Sequence, residues 1–208
     1  MISFKSYITE AAAAKGSGKV VFAFGRMNPP TIGHGALVDT VKGLADQHDA
    51  NHEIVLSHSQ DAKKNPLTPE QKLSHARMFF PGTNISLASK DQPTLLHHLS
   101  RLHQAGHDHA IVVAGGDRVP EYQKLLNHYN GKPDKSGKVL FNFKKIDVVS
   151  AGDRDPDAEG VEGMSASKMR EHAASGNFDS FKQGIPKGVP EEHAMQMFNN
   201  VRAGMGVK

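Results

Sequence analysis

The sequence has no cysteine and no tryptophan among its 208 residues. The absence of cysteine excludes a disulfide framework, a thiolate metal site and a cysteine nucleophile. No apolar run approaches the ~18 to 20 residues that a membrane-spanning helix needs, and the first residues lack the apolar centre of a secretion signal. We therefore expect no membrane partner and a location in the cytoplasm.

The sequence also has little excess charge of either sign, with 25 Lys and Arg against 22 Asp and Glu and a formal net charge of +3. Such a small basic excess is typical of a solvated surface, and no basic stripe or nucleic-acid motif accompanies it. The composition therefore does not favour nucleic acid as a partner. An anionic small molecule is compatible with it, because a few cations that converge on one pocket can bind an anion. The oligomeric state stays open, a homo-oligomer included.

Apolar runs and helical patterns alternate along the chain after residue 18. Residues 1–18 are predicted to form a separate leader, which ends in the linker-like segment Lys15-Gly16-Ser17-Gly18. The predicted strands are 20–24, 53–57, 84–88, 109–114 and 139–149. The predicted helices are 33–48, 68–80, 92–105, 119–128, 165–174 and 191–201.

This alternation predicts one α/β domain over residues 19–208, built as a doubly wound parallel sheet from right-handed βαβ units. A short helical extension is expected at about 177–208. In such sheets, ligands bind beyond the carboxyl ends of the strands, where the strand order reverses. The loops that directly follow strands therefore hold the candidate functional residues.

The loop after the first predicted strand reads Gly-Arg-Met-Asn-Pro-Pro-Thr-Ile-Gly-His over residues 25–34 and leads into a helix. Gly25 and Gly33 allow a backbone or ligand to approach closely. His34 is expected in the first helical turn, beside the unpaired N–H groups and the positive dipole end that attract phosphate. Thr31 lies next to it, with a hydroxyl predicted to donate to a ligand.

A second such loop, Met-Ser-Ala-Ser-Lys-Met-Arg at residues 164–170, opens a later helix. Ser165 and Ser167 are residues that cap helices well. Lys168 and Arg170 are placed to project from the first turn towards the same phosphate region. Arg suits that role because its planar fork can donate to two oxygens at once.

Together the two segments resemble the motifs of the HIGH-motif nucleotidyltransferase superfamily. Residues 25–34 are similar to its Gly-x-Phe-x-Pro-x-His/Thr-x-Gly-His signature, with Met27 in place of Phe. Residues 164–170 are similar to its Ile-Ser-x-Thr-x-x-Arg motif, with Met for Ile and Ser for Thr. The resemblance implies a Rossmann-like enzyme that transfers a nucleoside monophosphate to a small phosphorylated acceptor and releases pyrophosphate.

The resemblance also implies roles for individual residues. The expected catalytic residues, which act around the reacting phosphates, are Thr31, His34, Lys168 and Arg170. The expected nucleotide-binding residues are Gly25, Arg26, Met27, Asn28, Gly33, Gly115, Asp117, Arg118, Met164, Ser165, Ala166 and Ser167. The expected acceptor-binding residues are Lys64, Asn65 and Tyr122. The implied cofactor is Mg²⁺ bridged by phosphate oxygens, with no direct protein ligand.

The middle of the chain bears on which nucleotide is used. Ser57-His58-Ser59-Gln60, followed by Asn65-Pro66-Leu67-Thr68, resembles the branch typified by archaeal nicotinamide mononucleotide adenylyltransferases. Lys72 stands where that branch has Arg, and no tryptophan is present to stack on a pyridine ring. This segment favours ATP. The string at residues 162–165 is also similar to cytidylyltransferases, so CTP stays open as the alternative.

Two further segments carry weaker hypotheses. Residues 1–11 resemble the capsid-targeting leaders of internal head proteins of large tailed phages, which predicts cleavage after Glu10. If so, the chain is viral and is found in the host cytoplasm or the virion, and the alternative function is a packaged protein with a vestigial nucleotide site. Histidines at 97, 98, 103, 107 and 109 match no familiar zinc spacing, so the sequence does not favour a metal site there.

Overall fold

A computed structural model describes residues 18–152 and 164–207. Apart from Gly18, the predicted leader lies outside the described residues, as do its cleavage position at Glu10 and the string that favours CTP before Met164. The first described contact is the Gly18 carbonyl, which accepts a 2.9 Å hydrogen bond from the amide of Asp108.

The described residues form five strands and seven helices. The strands are β1 (Lys19–Gly25), β2 (Asn51–Leu56), β3 (Ile85–Leu87), β4 (His109–Ala114) and β5 (Lys145–Ser150). The helices are α1 (Gly35–Gln47), α2 (Pro69–Phe79), α3 (Leu95–Gln104), α4 (Val119–Tyr129), α5 (Ala166–Ala174), α6 (Phe178–Lys182) and α7 (Glu191–Gly204). Two 3₁₀ turns, Ile32–His34 and Gly116–Arg118, precede α1 and α4.

The five strands form one parallel sheet in the order β3-β2-β1-β4-β5. The chain runs outward from β1 through β2 to β3 and then crosses to β4 on the other side of β1. The strand order therefore reverses between β1 and β4, where ligands bind in sheets of this kind. The predicted doubly wound, Rossmann-like fold is confirmed.

Helices cover both faces of the sheet because successive side chains of a strand point to opposite faces. In β1, Val21 and Ala23 pack with α1, α2 and α5–α7 in one core. Val20 and Phe22 pack with α3 and α4 in the other. β1 is thus buried on both faces, as its continuous apolar sequence predicted.

The predicted strand over 139–149 begins only at Lys145. The apolar residues before it, Phe141 and Phe143, are buried in the second core, but their backbone groups bond elsewhere. The side-chain amide of Asn130 donates to the Phe143 carbonyl (3.0 Å) and accepts from its N–H (2.9 Å). The alternating apolar residues here hold the loop before β5 against the core and do not form a strand.

The C-terminal helices pack into the first core. Phe181 of α6 and Phe198 of α7 meet edge to face, with ring centroids 5.2 Å apart. Gly204 abuts the backbone of Pro66 so closely that an added Cβ would overlap the Pro66 carbonyl. The residues predicted as a helical extension therefore belong to the core on one face of the sheet. No helix among the described residues is long and apolar enough to span a membrane.

Candidate functional site

A cavity of about 780 Å³ opens at the carboxyl ends of β1 and β4, where the strand order reverses. This volume lies in the range of small-molecule sites. Its lining residues are Ala23, Phe24, Gly25, Arg26, Met27, Asn28, His34, Leu37, Ile54, Ser57, Ser59, Lys64, Pro93, Ala114, Gly115, Asp117, Arg118, Tyr122, Ser165, Ala166, Ser167 and Arg170. Both predicted phosphate loops and the loop after β4 therefore meet at one place.

His34 is held in position from within its own loop. The residue is 6% exposed, and its Nδ1 accepts a 3.0 Å hydrogen bond from the backbone N–H of Thr31. Because Nδ1 is an acceptor, the neutral ring carries its proton on Nε2. The loop thus fixes the tautomer of His34, a residue that lines the cavity.

Thr31 has a different position from the one predicted. It is 1% exposed and does not line the cavity. Its hydroxyl lies 3.0 Å from His34 Nδ1. The hydroxyl expected to donate to a ligand is instead directed to His34, so the geometry gives Thr31 a positioning role.

The two predicted phosphate loops touch directly at Gly33. A Cβ added there would lie 3.0 Å from the Met164 carbonyl, so a larger residue would push the loops apart. Met164 is buried beside this contact. The neighbouring Ile32 N–H donates to the Gly184 carbonyl at 2.8 Å, which ties the first loop to the chain between α6 and α7.

Asn28 makes the longest-range connection of the site. It is 2% exposed; its amide donates to the Leu67 carbonyl (3.1 Å) and accepts from the Leu67 N–H (3.0 Å). Its backbone carbonyl accepts from Arg170 Nη1 at 2.8 Å. Met27, just before it, has φ of 41°, a value uncommon for residues other than glycine. The side-chain amide of Asn28 is thus used within the protein.

The second predicted phosphate loop presents one cation to the cavity. The Ser165 hydroxyl accepts from the Lys168 N–H at 3.2 Å and caps α5. Arg170 is half-buried and also donates from Nη2 to the Ser167 hydroxyl at 3.0 Å. Burial, with Arg26 nearby, lowers the pKa of Arg170, but a guanidinium stays charged at neutral pH. Lys168 does not line the cavity.

Opposite this loop, two exposed cations reach the cavity. The side chain of Arg26 forms no hydrogen bond or ion pair with any described residue. Lys64 lies in a turn that is held together by the Asp61 carboxylate. The Asp61 carboxylate accepts from the backbone N–H groups of Lys63 (2.9 Å) and Lys64 (2.7 Å) and from the Asn65 amide. These bonds, led by the one from Lys64, lower the pKa of Asp61 to about 2. Asn65 stays behind the turn and does not line the cavity.

Lys72 is a buried cation that the sequence analysis did not identify as a site residue. Its residue exposure is 0%, and Nζ donates to the backbone carbonyl of Ser57. Burial, with Arg26 as a nearby like charge, lowers the pKa of Lys72 to about 8. A lysine in an amphipathic helix normally reaches solvent, so no pattern in the sequence indicated its burial.

The loop after β4 contributes polar and aromatic groups. Asp117 and Arg118 are exposed at the cavity, and Arg118 lies over the Tyr122 ring at 5.6 Å from its centroid. An added Cβ on Gly115 would lie 2.9 Å from an Asp117 carboxylate oxygen. Burial raises the pKa of Tyr122, whose phenol therefore stays protonated at neutral pH.

Most of the predicted site residues thus come together, and five do not line the cavity: Thr31, Gly33, Asn65, Met164 and Lys168. Ser57 and Ser59, whose hydroxyls lie 2.8 Å apart, belong to the segment that favours ATP but were not predicted to line the site. Pro93 and Phe24 were not predicted either. The position of Ser57 directly after β2 could have identified it. Among the described residues, no group of three or more His, Asp or Glu could hold a metal ion.

The clustered histidines bond separately to their own neighbours. His103 contacts the Asn142 carbonyl at 3.1 Å and His109 pairs with Asp147 at 2.7 Å. His98 stacks on Phe22 with ring centroids 6.3 Å apart. These histidines therefore serve packing and local pairing.

No protein-family model matches this chain, and a search of curated proteins finds no similar sequence. Fold alone does not specify activity. Function must therefore be argued from the chemistry of the cavity itself.

Proposed function

We propose that this protein is a nucleotidyltransferase, which transfers a nucleoside monophosphate from a nucleoside triphosphate to a small phosphorylated acceptor. The observation that carries the proposal is the convergence of His34 and Arg170, from loops far apart in sequence, on one cavity at the reversal of strand order. A histidine donor and a guanidinium beside two helix N-termini suit a ligand with several phosphates.

The charge of the cavity supports an anionic ligand. Arg26, Lys64, Arg118 and Arg170 line it, whereas Asp117 is the one carboxylate among the described lining residues. Arg26 and Arg170 are close enough for their charges to interact. Two like charges facing one space are stabilised when an anion lies between them. A triphosphate and a phosphorylated acceptor together would supply such anions.

In the proposed reaction, an acceptor phosphate oxygen attacks the α-phosphorus of the nucleotide. A new P–O bond forms there, the bond to the β-phosphate oxygen breaks, and pyrophosphate leaves with that oxygen. The chain supplies no covalent intermediate. His34 Nε2 is proposed to stabilise the negative charge that grows on the phosphate oxygens, and Arg170 to bind the β- and γ-phosphates. Arg26 is proposed to bind the nucleotide and Lys64 to align the acceptor.

Mg²⁺ fits this site only as an ion bound mainly by phosphates, because Asp117 is the single described lining residue with a carboxylate. When bound, such an ion would neutralise phosphate charge. The remaining tasks fall to the side chains named above.

ATP is the nucleotide that we propose first, and CTP is the alternative. The segments 57–60 and 65–68 carry the sequence features that favour ATP, and Ser57 and Ser59 of the first segment line the cavity. Asp117, in the loop after β4, would accept hydrogen bonds from ribose hydroxyls or a base. The acceptor is defined here only by its phosphate.

Titration calorimetry with Mg-ATP and Mg-CTP, followed by pyrophosphate release over a panel of phosphorylated acceptors, tests the proposal. We expect saturable binding of ATP, weaker binding of CTP, and pyrophosphate release with at least one acceptor. Arg170→Ala is the matched control, because it removes a proposed phosphate ligand while retaining the α5 cap of Ser165. If the wild-type protein binds neither nucleotide, the proposal is wrong.

A further inference from the structure

Asn28 connects two parts of the cavity that belong to different segments of the chain. Its side-chain amide makes both hydrogen bonds to the Leu67 backbone, 39 residues away, at 3.1 and 3.0 Å. Its carbonyl accepts the 2.8 Å hydrogen bond from Arg170, 142 residues away. One buried residue thus fixes Arg170 on one side and, on the other, the segment that presents Lys64.

We infer that Asn28 is a positioning residue that couples the binding of the triphosphate to the conformation of the acceptor-side segment 64–71. The inference rests on the proposed function, in which Arg170 contacts the triphosphate and Lys64 faces the acceptor. When Arg170 is held by a nucleotide, its bond to the Asn28 carbonyl restrains Asn28, and the paired amide bonds transmit that restraint to Leu67.

The local structure makes this transmission direct. Asn28 is 2% and Leu67 0% exposed, so water does not compete for the amide bonds. Leu67 lies between Lys64, which lines the cavity, and Thr68, whose hydroxyl accepts from the Gln71 N–H at 3.2 Å and caps α2. A shift at Leu67 would therefore alter both the Lys64 turn and the start of α2.

A second asparagine provides a matched comparison. Asn130 makes the same pair of amide bonds, at 3.0 and 2.9 Å, to the Phe143 backbone. Asn130 does not line the cavity, and no described contact joins it to Arg170. A purely structural role for such an amide would give Asn28 and Asn130 the same phenotype, whereas coupling would affect nucleotide binding only through Asn28.

Hydrogen–deuterium exchange of the full-length chain with and without Mg-ATP, read on peptides covering residues 65–71, tests the coupling. None of these residues lines the cavity, so the nucleotide itself would not cover them. We expect Mg-ATP to slow their exchange in the wild-type protein and in Asn130→Ala. In Asn28→Ala we expect that protection to disappear and the affinity for Mg-ATP to fall on the order of 10-fold, within the usual range for coupled sites.

Wild-type exchange alone decides the matter if Asn28→Ala does not fold. Binding of Mg-ATP that leaves residues 65–71 unprotected overturns the inference, as does protection that persists in Asn28→Ala. Equal losses of ATP affinity in Asn28→Ala and Asn130→Ala would also overturn it, since they would indicate general destabilisation. If the wild-type protein binds neither ATP nor CTP, the proposed function fails and the coupling fails with it.

Discussion

The two loops expected to hold phosphate are built in opposite ways. In the first loop, residues 25–34, Asn28, Thr31 and His34 are all buried. Asn28 bonds to Leu67, and Thr31 and His34 bond to each other. Arg26 is the polar residue of this loop that is exposed. In the second loop, residues 164–170, Ser167 is exposed and Arg170 reaches the cavity on a long side chain. The first loop thus fixes its buried polar side chains in place, whereas the second loop presents a cation on a long side chain.

This difference suits the two loops to two different tasks at a phosphate, namely stabilising charge during reaction and binding the ground state. A donor whose ring is fixed by its own loop needs no rearrangement when charge develops on the reacting phosphate, and such preorganisation lowers the barrier to reaction. A guanidinium on a longer side chain suits the firm binding of outer phosphates. We therefore expect the first loop to affect turnover and the second loop to affect affinity for the triphosphate.

The largest effect is expected from His34→Asn. The Asn Oδ1 can still accept from the Thr31 N–H, but the donor at the position of Nε2 is lost. We expect kcat to fall on the order of 10²–10³-fold while the affinity for Mg-ATP changes little. Steady-state kinetics with an acceptor from the panel, together with calorimetry, measures both.

His34→Ala is the companion variant, because it also removes the acceptor for the Thr31 N–H. It should lose the same activity and in addition about 0.5 to 1.5 kcal/mol of folding stability, measured by chemical denaturation. Wild-type turnover in His34→Asn would show that His34 only shapes the turn before α1.

Arg170→Ala should come next in size. It removes a charge-assisted contact worth about 1.5 to 3 kcal/mol, so we expect ATP affinity to fall roughly 10- to 100-fold. AMP, which lacks the outer phosphates, should bind as it does to the wild-type protein. Calorimetry with the two nucleotides measures the contrast, and an equal loss for AMP would assign Arg170 to the α-phosphate or the acceptor.

The smallest effect is expected from Lys168→Ala. Its backbone N–H bonds to Ser165, which the substitution retains, and its side chain lies outside the cavity lining. We expect ATP affinity and turnover within about twofold of wild type, since long-range attraction to a solvated cation is screened. A loss as large as that of Arg170→Ala would mean that Lys168 moves into the site when nucleotide binds.

The sequence predicts the sheet well because its signals there are local. The continuous apolar runs of β1 and β4 and the alternation with helices are sufficient for the strand positions and the doubly wound topology. The same logic is wrong for residues 139–144. Phe141 and Phe143 alternate as in a strand, but the Asn130 amide occupies the backbone groups of Phe143, and such a contact leaves no local pattern.

The candidate site is predictable to the extent that it follows strand ends. Gly25 ends β1, Gly115 directly follows β4, and His34 directly precedes α1. The order of the two motifs along the chain predicted the second loop. Contacts between distant segments were not predictable. Three features depend on neighbours that only the folded chain brings together. They are the position of the Thr31 hydroxyl beside His34, the bond between Asn28 and Leu67, and the burial of Lys72.

The contact between Ile32 and Gly184 has a consequence for the order in which the protein matures during synthesis. The five strands of the described residues all precede residue 151, so a nascent polypeptide can pair them before α6 and α7 leave the ribosome. The bond from the Ile32 N–H to the Gly184 carbonyl and the contact of Gly204 with Pro66 can form only after those helices have emerged. The translating chain would thus pair these strands first and complete the contacts around its first loop later.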